Sequence, residues 1–404
     1  MPFRSRASSC AFALAVVVLA AACGSSQPSP SIALDQPSPT SAPTATETPV
    51  ATATESPTPE PTATPAPTPV LVPAPLTGLM VTPAAARRHP IAVMIDDLSA
   101  ARPQSGFNSA SIVWQAPAEG GIPRYMMVFG EKQPTAVGPV RSSRYYYIAW
   151  AAEWKAVYAH AGGSPQAMST LRAKGNGQLV YNADEFAHAG SFNRVSTRFP
   201  PHNLYTDGKR LDALARRLGA KPGAYKPIWT FAPDAPLEQR PVGGRITFRY
   251  PTSAIRYNYD RATNTYLRTV TAEGKQKDAA TKKRVAPKNV VIMLMRFGPL
   301  NDGHPSKHRL EAQVVGSGTA WISTNGRTIK GRWQKKSLTG PTRFYDSKGQ
   351  EVTLTAGQTF INVMPSGTAV TIVRGKAPPA PTPSPAISPS PSPSALSGMV
   401  RVAV

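Results

Sequence analysis

Apolar positions along the chain change their spacing once, near residue 240. Residues 91–95 (IAVMI) form an unbroken apolar run that ends at Asp96-Asp97, the pattern of a strand buried on both faces. Residues 112–114, 125–129 and 156–159 give further strand runs. Residues 142–154 (SSRYYYIAWAAEW) read as a helix with Ser142 as its N-cap. Ser164-Pro165 opens another, with Ser at the cap and Pro at the first helical position. Residues 206–219 have the spacing of an amphipathic helix stopped by glycine. From about 240 the period falls to two, in segments 245–250, 254–260, 265–270, 290–295, 311–316, 320–323, 329–333, 350–354, 359–363 and 370–373. Asn325-Gly326 and Ser347-Lys348-Gly349 read as hairpin turns. The expected fold class is α+β: a mixed α/β domain over 76–235, then a mostly antiparallel β domain over 240–375, divided in the Pro-rich 222–243 region.

The ends of the chain have another composition. Arg4 and Arg6 precede a short apolar core at 11–19, and Ala20-Ala21-Ala22-Cys23-Gly24 follows. The core is too short to span a bilayer, which takes about 20 apolar residues. It reads as a signal peptide over 1–22, removed before a lipidated Cys23, although Leu19 lies four rather than three positions before the cysteine. Cys10 falls within the leader, so Cys23 is the single cysteine of the expected mature chain. An unpaired thiol is unusual in an exported protein, and a thioether to lipid accounts for it. The expected location is the outer face of the cytoplasmic membrane, with the anchor at Cys23 as the membrane contact.

Residues 23–75 hold this cysteine and a Pro/Thr-rich spacer, and 376–404 repeat its composition as a Pro/Ser-rich tail. Such tracts favour polyproline II and build no core; at about 3.1 Å per residue the spacer reaches roughly 150 Å.

No Lys or Arg occurs between Arg6 and Arg87, so nearly all of the formal net charge of +23 belongs to the folded body. A cytosolic chain of this charge would suggest nucleic acid. Export and the lack of a nucleic-acid motif argue against that partner, and leave anionic wall polymers, wall-assembly proteins and lipid headgroups.

The residues that suggest chemistry cluster in turns at 96–204: Asp96, Arg102, Glu119, Arg124, Arg141, Ser142, Arg144, His160, Gly163, Ser164, His202 and Asn203. Strand ends that lead into helix starts are where α/β folds place ligands. Arg124, Arg141 and Arg144 near two helix N-termini would attract phosphate or carboxylate. The same arginines would alternatively pair with Asp96 and Glu119 inside the domain. For hydrolysis, Glu119 or Asp96 would act as base and His160 or His202 as acid or metal ligand. No metal-binding or Ser–His spacing appears; Ser164 fits a helix cap, and His304 and His308 fall in a Gly/Pro loop. Tyr147, Trp150 and Trp154 share a helical face suited to the core, leaving Tyr145 or Tyr146 to face a cleft. Neither a cofactor nor a metal is indicated by these residues.

Several segments together resemble the YerB-like lipoproteins, a domain family of unknown function. In the first stretch they are Pro75-Leu76-Thr77-Gly78-Leu79, Pro90 through Asp97, Ala101 through Gly106, Ala118-Glu119-Gly120-Gly121, Gly138 through Arg144, His160 through Ser164, and Pro201-His202-Asn203-Leu204. In the second they are Lys330 through Lys335, Phe344-Tyr345-Asp346 and Gly357 through Val363. The resemblance covers about 75–375 and implies an α/β domain, a β domain and a lipid anchor, with no established reaction. Family members often carry Asn where this chain has Asp97.

The expected function is binding of an anionic wall-related ligand, or of a wall-assembly partner, through the Arg-rich cleft. The alternative is a metal-assisted hydrolase of a wall polymer; a third reading is a purely structural spacer.

Overall fold

The computed structural model describes residues 70–378. The leader, Cys23, the spacer up to residue 69 and the tail from residue 379 lie outside the described residues. No described helix is long and apolar enough to cross a membrane.

In the first stretch, strands β1 (Ile91–Asp96), β2 (Ile112–Pro117) and β3 (Pro123–Phe129) precede helix α1 (Tyr145–Ala151). Strand β4 (Val157–His160), helix α2 (Pro165–Lys174), strand β5 (Tyr181–Asp184) and helix α3 (Gly208–Arg217) follow. The second stretch opens with β6 (Arg245–Tyr250), β7 (Ser253–Asp260), β8 (Thr265–Val270) and β9 (Gly274–Lys275). It continues with β10 (Asn289–Met295), β11 (Gly316–Thr324), β12 (Arg327–Lys335), β13 (Arg343–Tyr345), β14 (Thr359–Pro365) and β15 (Thr371–Val373).

Both stretches contribute to one ten-stranded sheet of order β13-β12-β11-β10-β14-β2-β3-β1-β4-β5. Its joint is β14, which lies parallel to β2 on one side and parallel to β10 on the other. β1, β2 and β10 are apolar on both faces because both are covered. One face packs against α1 and the segment around Trp229. The opposite face packs against α3 and a five-stranded sheet of order β9-β8-β7-β6-β15. That second sheet is covered on one side only, so β6 and β7 alternate inward apolar and outward polar residues. Trp114 of β2 stacks on Trp150 of α1 with centroids 4.6 Å apart. The fold is therefore mixed α+β, with few helices and many strands.

Several local expectations need correction. Ser142 does not cap a helix: α1 begins at Tyr145, with Arg144 at the cap position. Residues 142–144 stay extended because Ser143 N–H donates to Gly162 O and Ser143 O accepts from Ser164 N–H. Tyr146 is buried, donating to Pro117 O at 2.6 Å, rather than facing a cleft. Residues 350–354 are mostly not a strand; the Asp346 carboxylate accepts from the Lys348 and Gln350 N–H groups and holds the turn at 347–349 just before them.

Candidate functional site

The site begins at the C-terminal end of β1. There Asp96 N–H donates to Pro139 O at 3.0 Å and Arg141 N–H donates to Met94 O at 2.8 Å, so segment 138–141 runs beside the strand end. This registers Arg141 over the Asp96 carboxylate: Nε lies 3.1 Å from Oδ2, within ion-pair distance though off the line of a full hydrogen bond. His202 Nδ1 reaches the same oxygen at 2.8 Å. The other oxygen, Oδ1, accepts from Leu98 N–H at 3.1 Å. Asp96 is buried, whereas Arg141 and His202 remain partly exposed above it. The loop bearing His202 is held by Arg198, which donates to Ala100 O at 3.0 Å and Pro103 O at 2.7 Å. His202, Arg198, Phe199, Thr197 and Ala100 line an open cavity of about 450 Å³.

A second ion cluster surrounds Glu119. Glycines 120 and 121, both at positive φ, turn the chain there. Glu119 Oε2 lies 3.0 Å from Arg124 Nη2, and its Oε1 contacts Arg144. Arg124 also donates to Ser142 O at 3.0 Å. Both arginine side chains are nearly buried, and burial pushes both guanidinium groups below the usual arginine range. Arg144 falls to about 10, so it stays charged at neutral pH. Burial also lowers Arg141.

His160 is fully buried at the end of β4, with Nδ1 2.8 Å from Gly162 O and Nε2 2.8 Å from Asn182 Oδ1. No hydrogen bond or ion pair joins it to Asp96, Glu119 or His202 among the described residues. Ser164 caps α2, its Oγ accepting from Ala167 N–H at 3.3 Å. A Cβ on Gly163 would stand 3.3 Å from the Ser143 Cβ and 3.1 Å from Met168 Sδ; the residue permits a close crossing of two segments. Asn203 accepts from Arg194 at 3.1 Å. The structure thus joins Asp96, Arg141 and His202 in one group and Glu119, Arg124, Arg144 and Ser142 in another. His160, Gly163 and Ser164 shape the adjoining turn. Among the described residues, no three His, Cys, Asp or Glu side chains are grouped to hold a metal ion.

Two buried polar groups escaped the reading of the sequence. Asp97 accepts from Arg102 Nε at 2.8 Å and from Gln115 Nε2 at 2.7 Å, and Gln115 Oε1 accepts from Arg268 Nη2 at 2.7 Å. Arg102 therefore belongs with this network, and it also pairs with Glu273. The second group is Glu153 with Lys335, at 2.9 Å and with both side chains fully buried. The signal that could have found the first was register: Arg268 falls between Tyr266 and Val270, on the inward face of β8.

The fold and these clusters define a mixed α+β protein whose charged groups gather at strand ends, with His202 of the Asp96 group on the wall of a small open cavity. The chain belongs to the family described as "Protein of unknown function (DUF3048)", matching its N-terminal domain over residues 76–221 and its C-terminal domain over 246–361. It is 30% identical over 307 residues to "Putative lipoprotein YerB" of Bacillus subtilis (strain 168), covering 74% of this chain and 88% of that protein. The crystal structure of the YerB protein from Bacillus subtilis superposes with a TM-score of 0.67 at 27% identity, over 75% of this chain and all of the other.

Proposed function

We propose that this protein is a lipid-anchored binding protein of the cell envelope. It is tethered through Cys23 at the outer face of the cytoplasmic membrane and takes an anionic wall-related group, or the acidic surface of a wall-assembly partner, at the Asp96 site. The observation that carries this reading is the sharing of one carboxylate oxygen, Asp96 Oδ2, by Arg141 and His202. Asp96 fixes both side chains from below, and their outer edges stay partly exposed, with Arg198 on the cavity wall beside His202. A fixed guanidinium donor at a partly exposed surface favours a carboxylate or phosphate. The anchor is supported by the leader and cysteine pattern and by the name of the Bacillus relative.

Binding is better supported than hydrolysis. Glu119 is engaged by two arginines, Asp96 by Arg141 and His202, and His160 by Gly162 and Asn182. None of these carboxylates stands open as a base. The test is calorimetric titration of the full chain, held in detergent micelles, with soluble peptidoglycan fragments and with purified wall-synthesis enzymes. Measurable affinity that weakens about tenfold or more in Arg141→Ala and His202→Ala is expected, since the first removes a charge-assisted contact and the second a residue of the cavity wall that is held on Asp96. No affinity for any of these probes, or affinity indifferent to both substitutions, rejects the reading.

A further inference from the structure

A separate cleft opens between the five-stranded sheet and the β11–β12 hairpin. It encloses about 500 Å³ and shares no lining residue with the cavity at His202. Three pieces of chain bring positive charge to it. The hairpin turns at Asn325-Gly326, both at positive φ as a tight two-residue turn requires, and places Arg327 first on the returning strand. Arg245 opens β6 opposite Val373 of β15. Beyond Val373 the chain continues through Arg374 to Lys376, where Val242 and Lys376 exchange backbone hydrogen bonds of 3.0 and 2.9 Å. That clamp fixes Arg374 and Lys376 beside Arg245.

The wall of the cleft therefore holds Arg245, Arg327, Arg374 and Lys376, and it contains no Asp or Glu. None of the four forms an ion pair among the described residues; Arg327 donates only to Gln239 O. Ile246, Tyr259 and Tyr266 form a buried floor. All four are exposed around this floor, and four like charges lining one cleft give it a positive potential that favours an anion.

We propose that this cleft binds a linear phosphodiester polymer. Four cations call for several anionic groups held at a repeat, which one free phosphate does not provide. Three of the four are arginines, whose planar forks match phosphate oxygens. The donors surround a recessed floor, which a polymer strand enters and a flat bilayer surface does not. The size lies within the range of ligand sites, about 300–1,000 Å³.

The test uses the full chain in detergent micelles with fluorescent poly(glycerol phosphate) as the probe, followed by anisotropy at about 0.15 M salt, where long-range attraction is screened. The double variant Arg245→Gln/Arg374→Gln is compared with Arg249→Gln/Arg256→Gln, which removes the same charge from exposed positions outside the cleft. The cleft variant is expected to bind about tenfold or more weakly, and the control to change by less than about twofold. Arg327→Gln, on another strand, is expected to weaken binding independently. Equal losses in the two double variants would assign binding to overall charge and overturn the proposal. So would equal affinity for polyglutamate, which would replace phosphodiester recognition by generic polyanion binding, or capture by anionic vesicles with no affinity for the soluble polymer.

Discussion

Arg268 donates through Nη2 to Gln115 Oε1 at 2.7 Å across a sequence separation of 153 residues. This bond carries the buried Asp97 group into the second half of the chain. Arg268 also donates from Nε to the Tyr257 hydroxyl at 2.8 Å and contacts Gln276. Its guanidinium packs among the rings of Tyr125, Tyr257 and Phe360, with centroids 5.5–5.9 Å away. A fully buried arginine is thus satisfied without a carboxylate in direct contact: the charge of Asp97 reaches it through one amide.

Removing Arg268 should destabilise the whole body rather than one sheet. Arg268→Met keeps most of the volume but leaves Gln115, Tyr257 and Gln276 without their partner and deprives Asp97 of a nearby cation. Breaking a buried charged group of this kind costs about 3–5 kcal/mol. Urea denaturation followed by fluorescence measures it. A single transition shifted by that amount is expected; a loss below about 1 kcal/mol would show that the network does not join the two halves energetically.

Asp97 gives a pH prediction whose sign follows from its burial. Burial raises its carboxyl above the ordinary value, more than the Arg102 and Arg268 guanidinium groups lower it. The folded state therefore holds its proton more tightly than the unfolded state. Its contribution to stability is present at low pH and is lost as pH rises from about 4 through the folded value. Asp97→Asn abolishes this dependence. The stability difference, wild type minus variant, should fall as pH rises from about 4; a rise would mean that the arginines outweigh burial.

Glu153 and Lys335 offer a second test of the joint between the halves. Glu153 also accepts from Thr342 N–H at 3.0 Å and from Thr342 Oγ1 at 2.6 Å, fastening the segment after α1 to β12 and the start of β13. With both side chains fully buried, Lys335→Met strands a carboxylate and should cost about 3–5 kcal/mol. The double variant with Glu153→Met removes both charges and should recover a large part of that loss. If the double variant is no more stable than the single one, packing and not charge sets the cost.

How much of this was legible depends on what each residue answers to. β1, β6, β7 and β8 were readable because an unbroken apolar run and a strict alternation report burial on two faces or on one. The cap of α2 was readable because Ser164-Pro165 is a local signal. Ser142 carried the same local signal and misled, because the bridge between Ser143 and Gly163 keeps the chain extended until Tyr145. The insertion of β14 between β10 and β2 left no local mark, since strand order is decided by distant pairing. For the candidate site, residue types near Asp96 and Glu119 were visible, but which arginine meets which carboxylate was not. Arg141 goes to Asp96 only because segment 138–141 runs beside β1, a register the sequence does not encode locally.

Glu119 separates the binding and hydrolytic readings most directly. If its role is to hold Arg124 and Arg144, Glu119→Gln leaves two nearly buried guanidinium groups without their counter-charge. Its own side chain is 26% exposed, so solvent relieves part of the penalty, and a loss of about 2–3 kcal/mol is expected. Affinity for an anionic ligand at the Asp96 site should persist in the variant where it stays folded, because Arg141 and His202 are held by Asp96. A general base behaves in the opposite way: its amide variant keeps its stability and loses turnover. Thermal denaturation and release of reducing ends from purified wall, measured on the same preparations, distinguish the two. An unchanged melting temperature together with lost polymer cleavage would move Glu119 from the scaffold into the chemistry.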